Sequence, residues 1–184
     1  MFKNLSIKTI VAIGIGSAVY FVLGRFVTIP TGVPNTNVDT AIAFLAFIAV
    51  LFGPIAGGLV GLIGHALKDA LMFGSVWWSW VLVSLLVGFL IGLAAHRIKL
   101  EDGQFGKKEL ISFNLIQVVV QIVGWGLVAP ILDILIYAEP SNKVFTQGLV
   151  AALLNIISVG VFTSILLFSY SKTQSSRSSL IKED

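Results

Sequence analysis

The sequence contains no cysteine and very little charge. Of its 184 residues, 57% are hydrophobic and only 11% are charged, and the mean hydropathy is +0.98. The absence of cysteine excludes disulfides, thiol chemistry and cysteine-ligated metals. Soluble domains carry about 25% charged residues, so this chain lacks the polar groups needed to cover a water-soluble globule. The composition predicts a membrane protein.

The few charges are bunched, which leaves long uncharged stretches between them. These stretches are 9–24, 40–67, 70–95, 110–132 and 144–171. A bilayer-spanning helix needs about 20 predominantly apolar residues, and only continuous helices satisfy the backbone of such stretches in lipid. The pattern predicts an all-α, multi-pass membrane protein.

We predict six transmembrane helices with both termini in the cytoplasm, as one domain over 1–170 followed by a polar cytoplasmic tail at 171–184. The predicted spans are about 7–27, 39–52, 54–72, 76–96, 110–136 and 146–170. Gly53-Pro54 divides the second span from the third, because proline removes a donor and disfavours helix in the residue before it. Six spans place nine of the 12 lysines and arginines inside, and five spans with the N-terminus outside remain an alternative. The serine-rich tail is expected to be disordered.

Polar residues within the spans are the candidate functional groups, because a polar side chain in hydrocarbon must find a partner. His65 and Asp69 are four residues apart and share one helix face. They are either ligand contacts or simply an internal pair. Lys68 beside them is expected to reach the outer headgroups.

Amides follow one face of the fifth span at Asn114, Gln117 and Gln121, and the same face carries Trp125. Amides on facing helices often bond each other, which is the role we expect for Asn114 and Gln117. Gln121, Trp125 and, on the sixth span, Asn155 lie at a depth that an outward-facing cavity would reach. They are candidate substrate contacts.

Aromatic residues cluster near the outer membrane surface in the run VWWSW, which contains Trp77, Trp78 and Trp80. An aromatic belt at the interface accounts for two of them. The third, for which we choose Trp80, is a candidate for stacking on a flat ligand. Asp133 and Glu139 flank the outer end of the fifth span and are either functional groups or plain loop-edge charges.

The first span contains small residues at Ala12, Gly14, Gly16 and Ala18, giving small-xxx-small pairs at 12/16 and 14/18. Such pairs allow a second helix to approach closely. The stretch after this span, VTIPTGVPNTNVDT, is rich in turn-forming residues. It is either a stiff connector or a lid over an outward-facing pocket.

With these features, the chain resembles the substrate-binding S components of energy-coupling factor (ECF) transporters. The resemblance is carried by the six short spans, the small residues of the first span and the segment FGPIAGGLVG at 52–61. The segment TIPTGVPNTNVDTAIAFLA, 28–46, resembles one poorly characterised subfamily of that group.

The resemblance implies a substrate-binding subunit that works with separate ATPase subunits, and not an enzyme with a cofactor. An S component in the plasma membrane of a prokaryote binds a small molecule from outside. It docks onto a transmembrane coupling protein (T component) driven by two ABC-type ATPases. Carried over to this chain, Ala12, Gly16 and Ala18 are the docking residues, and Asn35 and Asn37 belong to the gate over the substrate. The expected substrate is a vitamin or precursor of pyrimidine or pyridine type.

A different class of function stays open from the sequence, namely a self-sufficient ion-coupled transporter that uses His65 and Asp69 as a proton site. Such carriers usually contain two related halves, and no convincing repeat relates 1–96 to 97–184. No phosphate-binding loop of the form G-x-x-x-x-G-K-[ST] occurs. We predict no catalytic residues, no metal site and no nucleic-acid partner.

Overall fold

The structure is a computed structural model that describes residues 6–33, 36–95, 98 and 105–181, with side chains described to Gln174. It is predominantly helical. The elements in chain order are α1 (Ile7–Phe26), β1 (Thr28–Pro30), β2 (Asn37–Asp39), α2 (Thr40–Phe73), α3 (Trp78–Ala94), α4 (Lys107–Gln121), a π-helical segment (Ile122–Val128), α5 (Ala129–Tyr137), α6 (Ser141–Ser158), a second π-helical segment (Val159–Thr163) and α7 (Ser164–Ile181). Asn35 and His96 lie outside the described residues.

Apolar side chains cover the outside of this helical bundle. Within the described ranges, four helical stretches are long and apolar enough to cross a membrane: Ile7–Phe26, Thr40–Phe73, Lys107–Tyr137 and Ser141–Gln174. The shorter helix Trp78–Ala94 is also apolar. Residues such as Leu135 and Phe26 are more than two-thirds exposed, an arrangement that lipid accommodates and water does not.

Helix α2 is interrupted near its middle. Gly53 has φ 85° and ψ −176°, which are not helical angles. A positive φ suits glycine because it has no side chain to clash with the backbone, and Pro54 then begins the next helical segment with its fixed φ. The two halves of α2 therefore run in different directions.

The second half of α2 packs backbone to backbone on α3. A Cβ on Gly57 would lie 2.6 Å from the Cβ of Ala49, and one on Gly88 would lie 2.6 Å from the carbonyl carbon of Gly57. A Cβ on Gly61 would lie 2.7 Å from the carbonyl carbon of Ser84. Contacts this short leave no room for any side chain, so these glycines determine how closely the two helices approach.

The π-helical segment before α5 has a local cause. Pro130 lacks an N–H, and its ring obstructs the carbonyl four residues earlier. The chain responds with wider turns over Ile122–Val128. Segments of this kind often occur at functional sites, and this one contains the buried Trp125.

Two hydrogen bonds connect helix α4 with the helical stretch that contains α6 and α7. Gln117 Nε2 donates to the carbonyl of Ile156 at 3.2 Å, and Asn114 Nδ2 donates to Ser164 Oγ at 3.2 Å. The predicted bundle-gluing role of these two amides is confirmed.

Several helix ends differ from the predicted spans. Helix α4 begins at Lys107 and α6 at Ser141, a few residues before the apolar stretches, because charged residues can continue a helix into the aqueous interface. The predicted disorder of the tail is wrong as far as the structure describes it, since α7 continues to Ile181. Extending an existing helix avoids the costly nucleation step.

The turn-rich stretch after α1 forms a two-stranded antiparallel hairpin. Thr28 pairs with Asp39, and Pro30 pairs with Asn37. Thr40 Oγ1 donates to the carbonyl of Val27 at 2.9 Å and Asp39 caps α2 through the N–H of Ala41 at 2.8 Å. The hairpin thus lies at the end of the bundle where α1 and α2 meet.

Candidate functional site

A cavity of about 310 Å³ opens at the hairpin end of the bundle. It lies where α1 and α2 come together with the start of α3, the end of α5 and the start of α6. The residues that line it and that the argument uses are Tyr20, Asn37, Asp39, His65, Lys68, Asp69, Trp77, Trp80, Trp125, Asp133, Glu139, Lys143, Ala151 and Asn155. Cavities of this volume hold small organic molecules.

A chain of hydrogen bonds fixes His65 in the wall of the cavity. Its Nε2 lies 3.4 Å from Asp69 Oδ1, and its Nδ1 lies 2.6 Å from Ser84 Oγ. The Tyr20 hydroxyl lies 3.4 Å from the same Ser84 oxygen. A neutral imidazole satisfies this arrangement when Nε2–H donates to Asp69 and Nδ1 accepts from Ser84. The predicted His65–Asp69 pair is therefore present, and both residues also line the cavity.

A second cluster centres on Asp133, which is only 2% exposed. Its Oδ1 accepts from Trp77 Nε1 at 2.8 Å and from Ser79 Oγ, and its Oδ2 accepts from Trp80 Nε1 at 2.7 Å. This carboxylate holds two indole rings at the cavity wall. Of the two alternatives that the sequence left open, the plain loop-edge charge is therefore wrong for Asp133.

The aromatic wall continues inward from this cluster. The rings of Trp80 and Trp125 have their centroids 5.4 Å apart, and those of Trp125 and His65 have theirs 6.4 Å apart. Trp125 is 2% exposed, and its Nε1–H has no hydrogen-bond partner among the described residues. A buried donor without an acceptor is costly, and this one lies inside the bundle behind the cavity wall.

Two lysines at the cavity are paired with carboxylates. Lys68 Nζ lies 3.3 Å from Asp39 Oδ2, and both side chains are 14% exposed. Lys143 Nζ lies 2.7 Å from Glu139 Oε2. The expectation that Lys68 reaches the lipid headgroups is wrong, because its partner Asp39, at the N-terminus of α2, draws it inward.

The predicted substrate-binding residues are not all brought together. Asn37, His65, Asp69, Trp80, Trp125 and Asn155 line the cavity. Gln121 is fully buried but does not line it, and neither polar atom of its amide has a partner in the described part of the chain. Asn35 falls outside the described residues. The sequence missed the role of Asp133, although an acidic residue in an otherwise uncharged stretch was the available signal.

The small residues of α1 face in two directions. Gly16 is buried, and a Cβ there would lie 2.9 Å from Val60 Cγ2. Ala12 is half-buried, whereas Gly14 and Ala18 are exposed on the outer face, with no atom within 4 Å of a Cβ on Gly14. Of the three predicted docking residues, Gly16 therefore packs inside the bundle and Ala18 is exposed, and the exposed small-xxx-small pair on α1 is 14/18.

Asn155 and Gln121 make a matched test of the cavity boundary. Asn155→Ala is expected to weaken ligand binding about tenfold, because it removes a hydrogen-bonding group at the cavity. Gln121→Ala also removes a side-chain amide, but outside the cavity, and is expected to change affinity much less. Isothermal titration calorimetry on both variants checks the ranking, and a greater loss for Gln121→Ala would move the boundary of the site.

The fold is that of a multi-pass membrane protein, with a cavity at one end of a helical bundle. A crystal structure of the S component for biotin from an ECF-type ABC transporter has a similar fold, with a TM-score of 0.62, 20% identity, and coverage of 94% of this chain and 95% of that one.

The chain belongs to the ECF-type riboflavin transporter S component family, whose model matches residues 4–172. It is 61% identical over 181 residues to a UPF0397 protein of Exiguobacterium, covering 98% of this chain and 99% of the relative. It is 52% identical over 183 residues to a UPF0397 protein of Enterococcus faecalis, with both chains covered completely. The predicted resemblance is confirmed. S components are the substrate-binding subunits of transporters and not enzymes.

Proposed function

We propose that this protein captures a small heteroaromatic vitamin or vitamin precursor, of pyrimidine or pyridine type, for an ATP-driven ECF importer. The observation that carries the proposal is the cavity itself, which combines indole walls with hydrogen-bonding side chains. Trp80 offers a flat surface for a ring, while Asn37 and Asn155 offer amides to its edge. Stacking with a few convergent polar groups is how small-molecule sites usually achieve orientation.

The proposed arrangement in the membrane has six spans with both termini in the cytoplasm. Helix α2 counts as two spans because Gly53 breaks it, and the distribution of lysine and arginine favours this orientation. The cavity and the hairpin then face outward. The proposed location is the plasma membrane of a prokaryote, which the bacterial relatives support.

The proposed partners are a transmembrane coupling protein and two ABC-type ATPases. The exposed small pair Gly14 and Ala18 gives α1 a surface on which a partner helix can approach closely. Large apolar side chains on the same helix, such as Ile15 and Val22, are also exposed. Docking through α1 leaves the cavity at the hairpin end unobstructed.

The proposal is tested by comparing the small molecules retained by two purified variants. Ala151 lines the cavity and is 6% exposed, whereas Leu153 on the same helix is 62% exposed. Ala151→Trp fills the cavity, and Leu153→Trp places the same ring on the lipid-facing side. Mass spectrometry, supplemented by calorimetry with B vitamins and their precursors, is expected to find one heteroaromatic compound bound to the wild type and to Leu153→Trp. Equal binding by Ala151→Trp, or no binding to the wild type, would contradict the proposal.

A further inference from the structure

The charges around the cavity do not balance. Among the described residues, four carboxylates and two ammonium groups line it. Lys68 forms an ion pair with Asp39, and Lys143 forms one with Glu139. Two carboxylates remain, Asp69 at 4% exposure and Asp133 at 2%.

Neutral groups satisfy the oxygens of these two carboxylates without cancelling their charge. Asp69 accepts from the backbone N–H of Trp77 at 3.1 Å and faces His65 Nε2, whose ring is already complete as a neutral imidazole. Asp133 accepts from two indoles and a hydroxyl. Such hydrogen bonds stabilise ionised carboxylates, so the cavity carries net negative charge in a setting where water screens it poorly.

The walls between these carboxylates are aromatic. Of the aromatic residues that line it, Trp77 and Trp80 keep exposed ring surface. The faces of such rings attract cations.

We propose that the ligand is a flat aromatic or heteroaromatic cation. Its positive charge supplies the counterion missing at Asp69 and Asp133, and its ring lies against Trp77 and Trp80. This inference rests on the proposed function and narrows its substrate class. Neutral rings of the same shape leave the two charges uncompensated and bind more weakly.

A pair of isosteric probes tests the charge directly. The N-methylnicotinamidium cation and meta-toluamide have the same shape and the same amide, and they differ by an N⁺ in place of a ring carbon. In thermal-shift and calorimetric measurements on the full chain, the cation is expected to bind at least about tenfold more tightly than meta-toluamide. Riboflavin, a flat uncharged heterocycle, is expected to bind more weakly than the cation.

The variants Asp69→Asn and Asp133→Asn are expected to lower the affinity ratio of cation to neutral probe about tenfold each. The ratio is the informative quantity because general damage to the site weakens both probes alike. Glu109→Gln removes the same charge in the first turn of α4, away from the cavity, and is expected to leave the ratio unchanged. If one of the two carboxylate variants fails to fold, the affinity ratio measured on the other variant still tests the inference.

The inference is overturned if the wild type shows no preference for the cation, if neither probe binds, or if both carboxylate variants keep the wild-type ratio. Tight binding of riboflavin or meta-toluamide inside the cavity would also overturn it, while leaving the proposed binding function intact. By contrast, a ligand that binds Ala151→Trp as well as wild type would overturn the proposed function.

Discussion

Leucine in place of Gly14 or Ala18 is expected to abolish ATP-dependent import while leaving ligand affinity and folding unchanged. Both residues are exposed on the outer face of α1, and a Cβ on Gly14 meets no atom of this chain within 4 Å. Bulk added there obstructs only a helix from another protein. Import by the assembled transporter and calorimetry on the isolated subunit measure the two halves of this expectation.

Gly16→Leu is the matched comparison on the same helix. A Cβ at Gly16 would lie 2.9 Å from Val60 inside the bundle, so this substitution is expected to lower thermal stability and weaken binding together with import. Unimpaired import by Gly14→Leu and Ala18→Leu would show that α1 does not dock through this face.

Gly61→Val is expected to have the largest effect on stability. A Cβ at Gly61 would lie 2.7 Å from the backbone of Ser84, and backbone cannot move aside as a flexible side chain can. Overpacking typically costs 1–3 kcal/mol, and a clash with backbone at a helix–helix contact is expected to cost about 3 kcal/mol or more. Little folded protein should therefore be recovered in detergent, as measured by size-exclusion chromatography and thermal denaturation.

Gly14→Val provides the control for this expectation. The substitution is chemically identical, but it lies on an exposed face of α1. It is expected to give a melting temperature close to that of the wild type. A Gly61→Val variant as stable as Gly14→Val would mean that α2 and α3 do not pack as closely as described.

Features that depend on neighbouring residues were the most predictable from sequence. Gly53-Pro54 marks a break because the restriction on the backbone is local, and Gly53 has the non-helical angles. Likewise, Asn114 and Gln117 share a helix face at a spacing that any α-helix produces, and both bond across to a neighbouring helix.

Features that depend on distant residues were not predictable. Asp133 meets Trp77 across 56 positions of the sequence, and no local pattern records that contact. On α1, the pairs 12/16 and 14/18 have the same spacing, so only the packing against Val60 shows that Gly16 faces inward. The π-helical segment at Ile122–Val128 also departs from the 3.6-residue period, which is the period that placed Gln121 and Trp125 on one face.

The measurement that most directly tests the account is uptake of the retained small molecule, radiolabelled, by cells that lack other routes for it. The account predicts uptake only when this chain is expressed with the coupling protein and both ATPases. Uptake is also expected to be lost when the phosphate-binding lysines of the ATPases are replaced. Equal uptake by cells expressing this chain alone, collapsed by a protonophore, would contradict the account and favour an ion-coupled carrier using His65 and Asp69.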